Sequence, residues 1–161
     1  MNEKIGALVK TSLVDFPGTV CAAVFLKHCN LRCPYCYNAQ LVTETQDDTG
    51  LFTLDEIKSH LAKRKNVLDG LAISGGEALL NPHTKELILF AKKLNYKVKL
   101  DTNGTLPELL QQITENPQTR PDFIAMDIKT SPQKYRGLLN SSNISDKTDY
   151  EQALKKSIII L

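Results

Sequence analysis

Apolar runs of five to eight residues recur along the chain with amphipathic stretches between them, and this alternation sets the first expectation. "VCAAVFLK" (20–27) is apolar at every position but the last, as a strand covered on both faces should be. Similar runs follow at "GLAISG" (70–75), "YKVKLDT" (96–102), "FIAMDI" (123–128) and "SIIIL" (157–161). Helices are predicted over roughly 53–65, 83–95, 106–115 and 147–156. "FTLDEIKSHLAKR" opens with Thr53 three residues before Glu56, the signature of a capping box. "LNPHTKELILFAKKL" places Leu87, Phe90, Ala91 and Leu94 at helical intervals. Strands alternating with helices of this length predict an α/β fold of βαβ units, with about five parallel strands in one sheet. The polar stretch "LNSSNISDKTD" (139–149) reads as a loop. No repeat, low-complexity segment or domain boundary stands out, so residues 1–161 read as one domain. The last apolar run has no helix after it, which reads as a domain short of its C-terminal part.

Composition narrows the picture mainly by exclusion. A formal net charge of +2, with Lys and Arg spread along the sequence, provides no basic arm or stripe for nucleic acid. The start "MNEKIGALVK" has no apolar signal-like core, and no run reaches the roughly 20 residues of a membrane span. A soluble cytoplasmic protein is the expectation. The four cysteines, three of them within "CNLRCPYC", do not resemble the framework of a small secreted domain.

Those three, Cys29, Cys33 and Cys36, carry the candidate chemistry. A structural zinc site closes with four ligands, and no second CxxC pair or suitably spaced histidine is present, since His60 and His83 lie far along the chain and only His28 is adjacent. A disulfide suits neither a reducing compartment nor three clustered thiols. An iron–sulfur cubane suits them better: thiolates are its usual ligands, and three of them leave one iron open. Cys21, inside the first strand run, reads as a buried core thiol.

Three more segments fall at predicted strand ends. "SGGEALL" sets Gly75, Gly76 and Glu77 where side-chain-free backbone can approach a ligand closely, or where a tight turn is needed. "LDTNG" offers Asp101, Thr102, Asn103 and Gly104, and "MDIK" offers Asp127 and Lys129. Asn-Gly is also a good turn, and Asp at a strand end also caps helices. In parallel βα architectures, however, the C-terminal strand ends form the reactive face.

With these residues in view, the cysteine segment resembles the cluster motif of the radical S-adenosylmethionine (SAM) enzymes, CxxxCxxC with an aromatic residue, here Tyr35, before the last cysteine. The resemblance implies a partial, open (βα)6-type barrel. It implies a [4Fe-4S] cluster held by Cys29, Cys33 and Cys36, with SAM on the fourth iron. Tyr35, Gly75, Gly76, Glu77, Asp101, Asp127 and Lys129 become expected cofactor-binding residues, with a monovalent cation nearby. No catalytic side chain is implied beyond cluster and SAM. Ala78 stands where many relatives have proline. The lead-in "KTSLVDFPG", with Asp15, Pro17 and Gly18, is similar to that of glycyl-radical-enzyme activases, especially the activating proteins of anaerobic ribonucleoside-triphosphate reductase. The same residues also suit a β-turn. The implied activity is reductive cleavage of SAM to a 5′-deoxyadenosyl radical that installs a glycyl radical on such a reductase. A flavodoxin- or ferredoxin-like protein would supply the electron. The competing expectations are a pyruvate formate-lyase-type activating enzyme, a radical SAM enzyme acting on a small molecule or peptide, and a truncated, non-catalytic iron–sulfur protein.

Overall fold

The computed structural model describes residues 3–43, 48–139 and 148–161. One six-stranded sheet organises the chain: β1 (Lys4–Ser12), β2 (Cys21–Leu26), β3 (Leu51–Thr53), β4 (Gly70–Gly75), β5 (Lys97–Thr102) and β6 (Phe123–Met126). Their spatial order is β3-β1-β2-β4-β5-β6. The four strands β2, β4, β5 and β6 are mutually parallel, as the apolar runs predict. The long β1 and the three-residue β3 add an antiparallel side that the run pattern does not disclose.

The helices are α1 (Ala39–Val42), α2 (Leu54–Lys63), α3 (Thr84–Lys93), α4 (Pro107–Glu115) and α5 (Tyr150–Ile160). The capping box forms as predicted: Thr53 Oγ1 accepts from the Glu56 backbone N–H at 3.2 Å, and Glu56 Oε2 accepts from the Thr53 N–H at 2.7 Å. One face of the sheet, with Val24, Leu26, Leu71, Ile73, Val98 and Leu100, packs on Ile57, Leu61, Leu87, Ile88, Ala91 and Leu110 of the helices. The opposite face carries small side chains at the centre of β2 and β4, with the partly buried Phe25 beside them. Cys21, Ala23 and Ala72 are fully buried there beneath Phe16, so Cys21 is the core thiol expected. Before β2, Pro17 and Gly18 form a turn closed by the Thr19 N–H on the Phe16 carbonyl at 3.1 Å, with Gly18 at φ 66°. That is turn chemistry of the kind the lead-in allows.

One expectation is overturned. The run "SIIIL" is not a fifth parallel strand; it completes α5. Asp149 caps this helix by accepting from the Gln152 N–H at 3.1 Å. Ala153, Leu154 and Ser157 then face inward, while Ile158 and Ile159 face solvent. A short apolar run has no period of its own and so does not separate strand from helix; here the capped amphipathic turns upstream carry it along. The predicted loop at 139–149 lies largely outside the described residues. None of the described helices is long and apolar enough to cross a membrane.

Candidate functional site

The C-terminal ends of the parallel strands open into one cavity of about 370 Å³. Cys29, Cys33 and Cys36, on the loop between β2 and α1, line one side of it together with Tyr35. Gly75 and Gly76 line it from the end of β4, Asp101 from β5, and Asp127 and Lys129 from the segment after β6. Residues spread over a hundred positions of sequence thus meet because a parallel sheet brings its strand ends to one rim. Of the predicted site residues, only Glu77 stands away from the cavity.

Glu77 is fully buried behind the rim. Its Oε1 accepts from the Leu79 N–H at 3.1 Å and the Thr102 hydroxyl at 2.9 Å, and its Oε2 accepts from the Asn103 N–H at 2.7 Å. Burial pushes its carboxyl above the usual range, although these three donors pull the other way. The side chain thus braces the end of β4 against the end of β5.

The glycines serve the chain's own packing as well as the cavity. A Cβ on Gly76 would stand 1.9 Å from the His28 carbonyl oxygen, and Gly75 holds φ 115° against the Leu26 backbone. Only without side chains can β4 end this close to the entrance of the cysteine loop, where the Gly76 N–H reaches Leu26 O at 2.9 Å and the Glu77 N–H reaches His28 O at 2.8 Å. His28 itself takes φ 72°, an uncommon conformation at the point where the chain turns out of β2.

The cysteine loop is pinned at two further places. The Arg32 N–H bonds the Leu138 carbonyl at 2.5 Å, and Leu31 pairs with Leu139. The Tyr35 hydroxyl donates to the Lys129 carbonyl at 2.6 Å, while the Lys129 N–H donates to the hydroxyl of the buried Tyr135 at 2.8 Å. Tyr135 in turn stacks on Tyr150 of α5, ring centroids 5.4 Å apart. Burial pushes the Cys29 and Cys33 thiols above their ordinary range; for Cys33 the Lys129 ammonium and the Tyr35 hydroxyl work against that shift.

Each cavity carboxylate has a lysine two residues away on the same strand or its extension. Lys129 Nζ lies 2.8 Å from Asp127 Oδ2, and Lys99 Nζ lies 2.5 Å from Asp101 Oδ1. Burial disfavours the Lys129 ammonium, but Asp127 outweighs it and its pKa is raised. The sequence reading missed Lys99, only 9% exposed. Its signal was available: residues i and i+2 of a strand share a face. Asn30, Asn103 and Thr105 form a polar ring beside Cys29 that the reading also missed, and contacts across more than 70 residues leave no local signal.

The donor set suits an iron–sulfur cluster. Three soft sulfur ligands face one cavity, and the remaining walls offer backbone, carboxylate and ammonium groups to a polar ligand. Among the described residues, no three His, Cys, Asp or Glu side chains converge as ligands of a single ion would. A cubane takes each thiolate on a different iron, so its ligands stand farther apart.

Comparison with known proteins agrees with this arrangement. The family model of the radical SAM superfamily matches residues 24–156. A provisionally named glycyl-radical enzyme activating enzyme of Methanocaldococcus jannaschii is 33% identical over 137 residues, covering 84% of this chain and 54% of that protein. A pyruvate formate-lyase-activating enzyme of Clostridium pasteurianum is 29% identical over 131 residues, covering 78% and 52%. A 7-carboxy-7-deazaguanine synthase of Hyperthermus butylicus is 35% identical over 94 residues, covering 57% and 38%. Among solved structures, QueE from Escherichia coli superposes with a TM-score of 0.53 at 17% identity, over 65% of this chain and 54% of that one, a likeness of fold. The chain spans about half the length of the activating enzymes it matches. Its sheet is that of a partial radical SAM barrel, and the chain belongs to the radical SAM superfamily, whose members work with a [4Fe-4S] cluster and S-adenosylmethionine.

Proposed function

We propose that this chain is the cluster- and SAM-binding part of a glycyl-radical-enzyme activase whose protein substrate is an anaerobic ribonucleoside-triphosphate reductase. The observation that carries the reading is the meeting of Cys29, Cys33 and Cys36 with Asp101, Asp127 and Lys129 around one cavity at the strand ends. The activating-enzyme relatives favour the branch, and the lead-in through Asp15, Pro17 and Gly18 favours the reductase as target. In this reading the three cysteines hold the [4Fe-4S] cluster and the fourth iron is left for SAM. When bound, the reduced cluster supplies the electron that splits SAM into methionine and a 5′-deoxyadenosyl radical.

The chain's own residues bind and orient. Gly75 and Gly76 bring bare backbone to the SAM side of the cavity, and Glu77 fixes that edge from behind. Asp127 and Lys129 present one charge of each sign, which matches the zwitterionic amino-acid end and sulfonium of SAM better than either sign alone. Asp101 has one oxygen engaged by Lys99 and leaves the other for a donor on the ligand. Leu31 and Val42 supply apolar wall that keeps bulk water off the site.

Anaerobic reconstitution with iron and sulfide, followed by SAM and dithionite, tests the reading. Formation of 5′-deoxyadenosine, together with a glycyl-radical resonance when the reductase is added, is the expected result. Absence of 5′-deoxyadenosine from a loaded chain overturns it. Cleavage of SAM with no radical on the reductase overturns the choice of partner, and favours the small-molecule reaction that the 7-carboxy-7-deazaguanine synthase match brings into view.

A further inference from the structure

Three side chains beside the cysteine loop close a ring of hydrogen bonds that leaves one N–H of the Asn103 amide outside it. Asn103 Nδ2 donates to Asn30 Oδ1 at 2.9 Å. Asn30 Nδ2 donates to Thr105 Oγ1 at 2.8 Å. The Thr105 hydroxyl donates to Asn103 Oδ1 at 2.6 Å, and the Thr105 N–H donates to the same oxygen at 3.0 Å. The ring settles which end of the Asn103 amide is nitrogen: reversed, it would face the Thr105 N–H with a donor and Asn30 Oδ1 with an acceptor. One N–H of Asn103 remains, and its neighbour is Cys29 Sγ at 3.9 Å.

The ring is held rigidly from behind. Asn103 and Thr105 are each 4% exposed. Glu77 Oε2 grips the Asn103 N–H, and the buried Ser157 hydroxyl of α5 donates to the Gly104 carbonyl at 2.8 Å. Gly104 holds φ 73° with the Met126 side chain packed where a Cβ would go, so the turn carrying Asn103 has little room to move. A second donor reaches the same sulfur, the Leu31 N–H at 3.4 Å. As a free thiol, Cys29 also directs its proton at Asn30 Oδ1, 3.9 Å away. As a metal-bound thiolate it has none to give, and Asn30 Oδ1 then serves Asn103 alone.

We propose that Asn103 is a positioning residue that tunes the electron affinity of the cluster through the Cys29 thiolate. The proposal rests on the reading that Cys29 is a cluster ligand. A donor aimed at a ligating sulfur stabilises the state with more negative charge on that sulfur, which is the reduced cluster. In a site this buried, water replaces a lost donor poorly, so the effect of removing it persists. The Asn30–Thr105 ring exists to keep the Asn103 amide in that orientation.

The test is the reduction potential of the reconstituted chain, read anaerobically by dye-mediated titration with visible absorbance and low-temperature electron paramagnetic resonance. Iron and sulfide content are measured alongside. Asn103→Ala removes the donor, Asn103→Asp puts an oxygen in its place while keeping the acceptor side, and Thr105→Val breaks the ring, removing the acceptor of Asn30 but leaving the Asn103 amide itself in place. The expected order, from least to most negative potential, is wild type, Thr105→Val, Asn103→Ala, Asn103→Asp, at equal cluster content. Loaded variants with the wild-type potential overturn the proposal and leave Asn103 a structural brace. If the Asn103 variants do not fold, Thr105→Val alone decides, by shifting the potential or leaving it unchanged. A wild-type chain that takes up no cluster removes the proposal together with the reading beneath it, an outcome distinct from a loaded cluster whose potential does not move.

Discussion

Glu77 Oε2 accepts the Asn103 backbone N–H at 2.7 Å, and through this bond the end of β4 is fastened to the turn that follows β5. The carboxylate has no exposed surface, so each of its three donors depends on it for a partner. Replacing Glu77 by Ala leaves the Leu79 and Asn103 N–H groups and the Thr102 hydroxyl unpaired in the interior. Glu77→Gln keeps the shape but turns one acceptor into a donor facing a donor, at a cost of roughly 1–3 kcal/mol, with Ala costing more. Urea unfolding of the cluster-free chain measures both. A Gln variant as stable as wild type would contradict the bracing role.

Gly76 and Gly137 offer a matched pair. A methyl at Gly76 would collide with the His28 carbonyl, which is backbone and cannot swing away, whereas a methyl at Gly137 meets nothing within 4 Å. Gly76→Ala is expected to cost about 3 kcal/mol, the upper end for overpacking, and to displace the cysteine loop. Gly137→Ala is expected to stay within about 0.5 kcal/mol of wild type. Thermal melts show the first effect, and iron uptake on reconstitution shows whether the loop has shifted.

The C-terminal helix makes a prediction that a strand at 157–161 would not. Ser157 is fully buried while Ile159 is 84% exposed, two residues apart on what a strand would make one face. Ser157→Lys places an unpaired charge in the interior and is expected to cost about 4 kcal/mol or more. Ile159→Lys is expected to change stability by less than about 0.5 kcal/mol. Equal damage from both would argue for a strand.

Tyr135 carries the Lys129 N–H on its hydroxyl inside a fully buried pocket. Tyr135→Phe leaves that donor without a partner and is expected to cost roughly 1–3 kcal/mol. Because Lys129 lines the cavity, SAM affinity measured by equilibrium dialysis on the reconstituted chain should fall in the same variant. Affinity that stays at the wild-type value would separate Tyr135 from the site.

Glu56 carries the pH dependence of the α2 cap. Lys4, 2.8 Å away, and the Thr53 cap hold its carboxyl down to about 2 from the usual value near 4.5. A folded-state pKa below the unfolded one stabilises the fold fully above the unfolded value, and the contribution is lost as pH falls from about 4.5 towards 2. Glu56→Gln should therefore have a lower urea midpoint than wild type at pH 7, with the gap narrowing below pH 4.5. A gap that widens on acidification would reverse the sign.

Much of the architecture could be read locally. The runs at 20–27 and 70–75 become β2 and β4 because a strand buried on both faces must be apolar throughout, and β5 keeps Val98 and Leu100 on its core face; such marks are local, as is the short apolar run that becomes β6. The Thr53–Glu56 cap was equally legible, since its partners lie three residues apart. The run at 157–161 was misread because five apolar residues carry no period, and the decision belonged to Asp149 and to the surface against which α5 packs. The antiparallel pair β1 and β3, of which only β3 is an edge strand, was missed because half-buried pairing needs only a weak pattern.

By itself the sequence determined a candidate ligand set and the strand ends that could meet it: three thiols in eight residues, two glycines, and acidic and basic groups placed where parallel strands finish. Only the tertiary structure decided how those groups divide the work. It turned Glu77 away from the cavity and closed the Asn103–Asn30–Thr105 ring beside Cys29. The physical reason is range. A strand's burial and a helix cap are settled within a few residues. The orientation of a buried polar side chain is settled by whichever donors and acceptors the fold brings to it, here from more than 70 positions away.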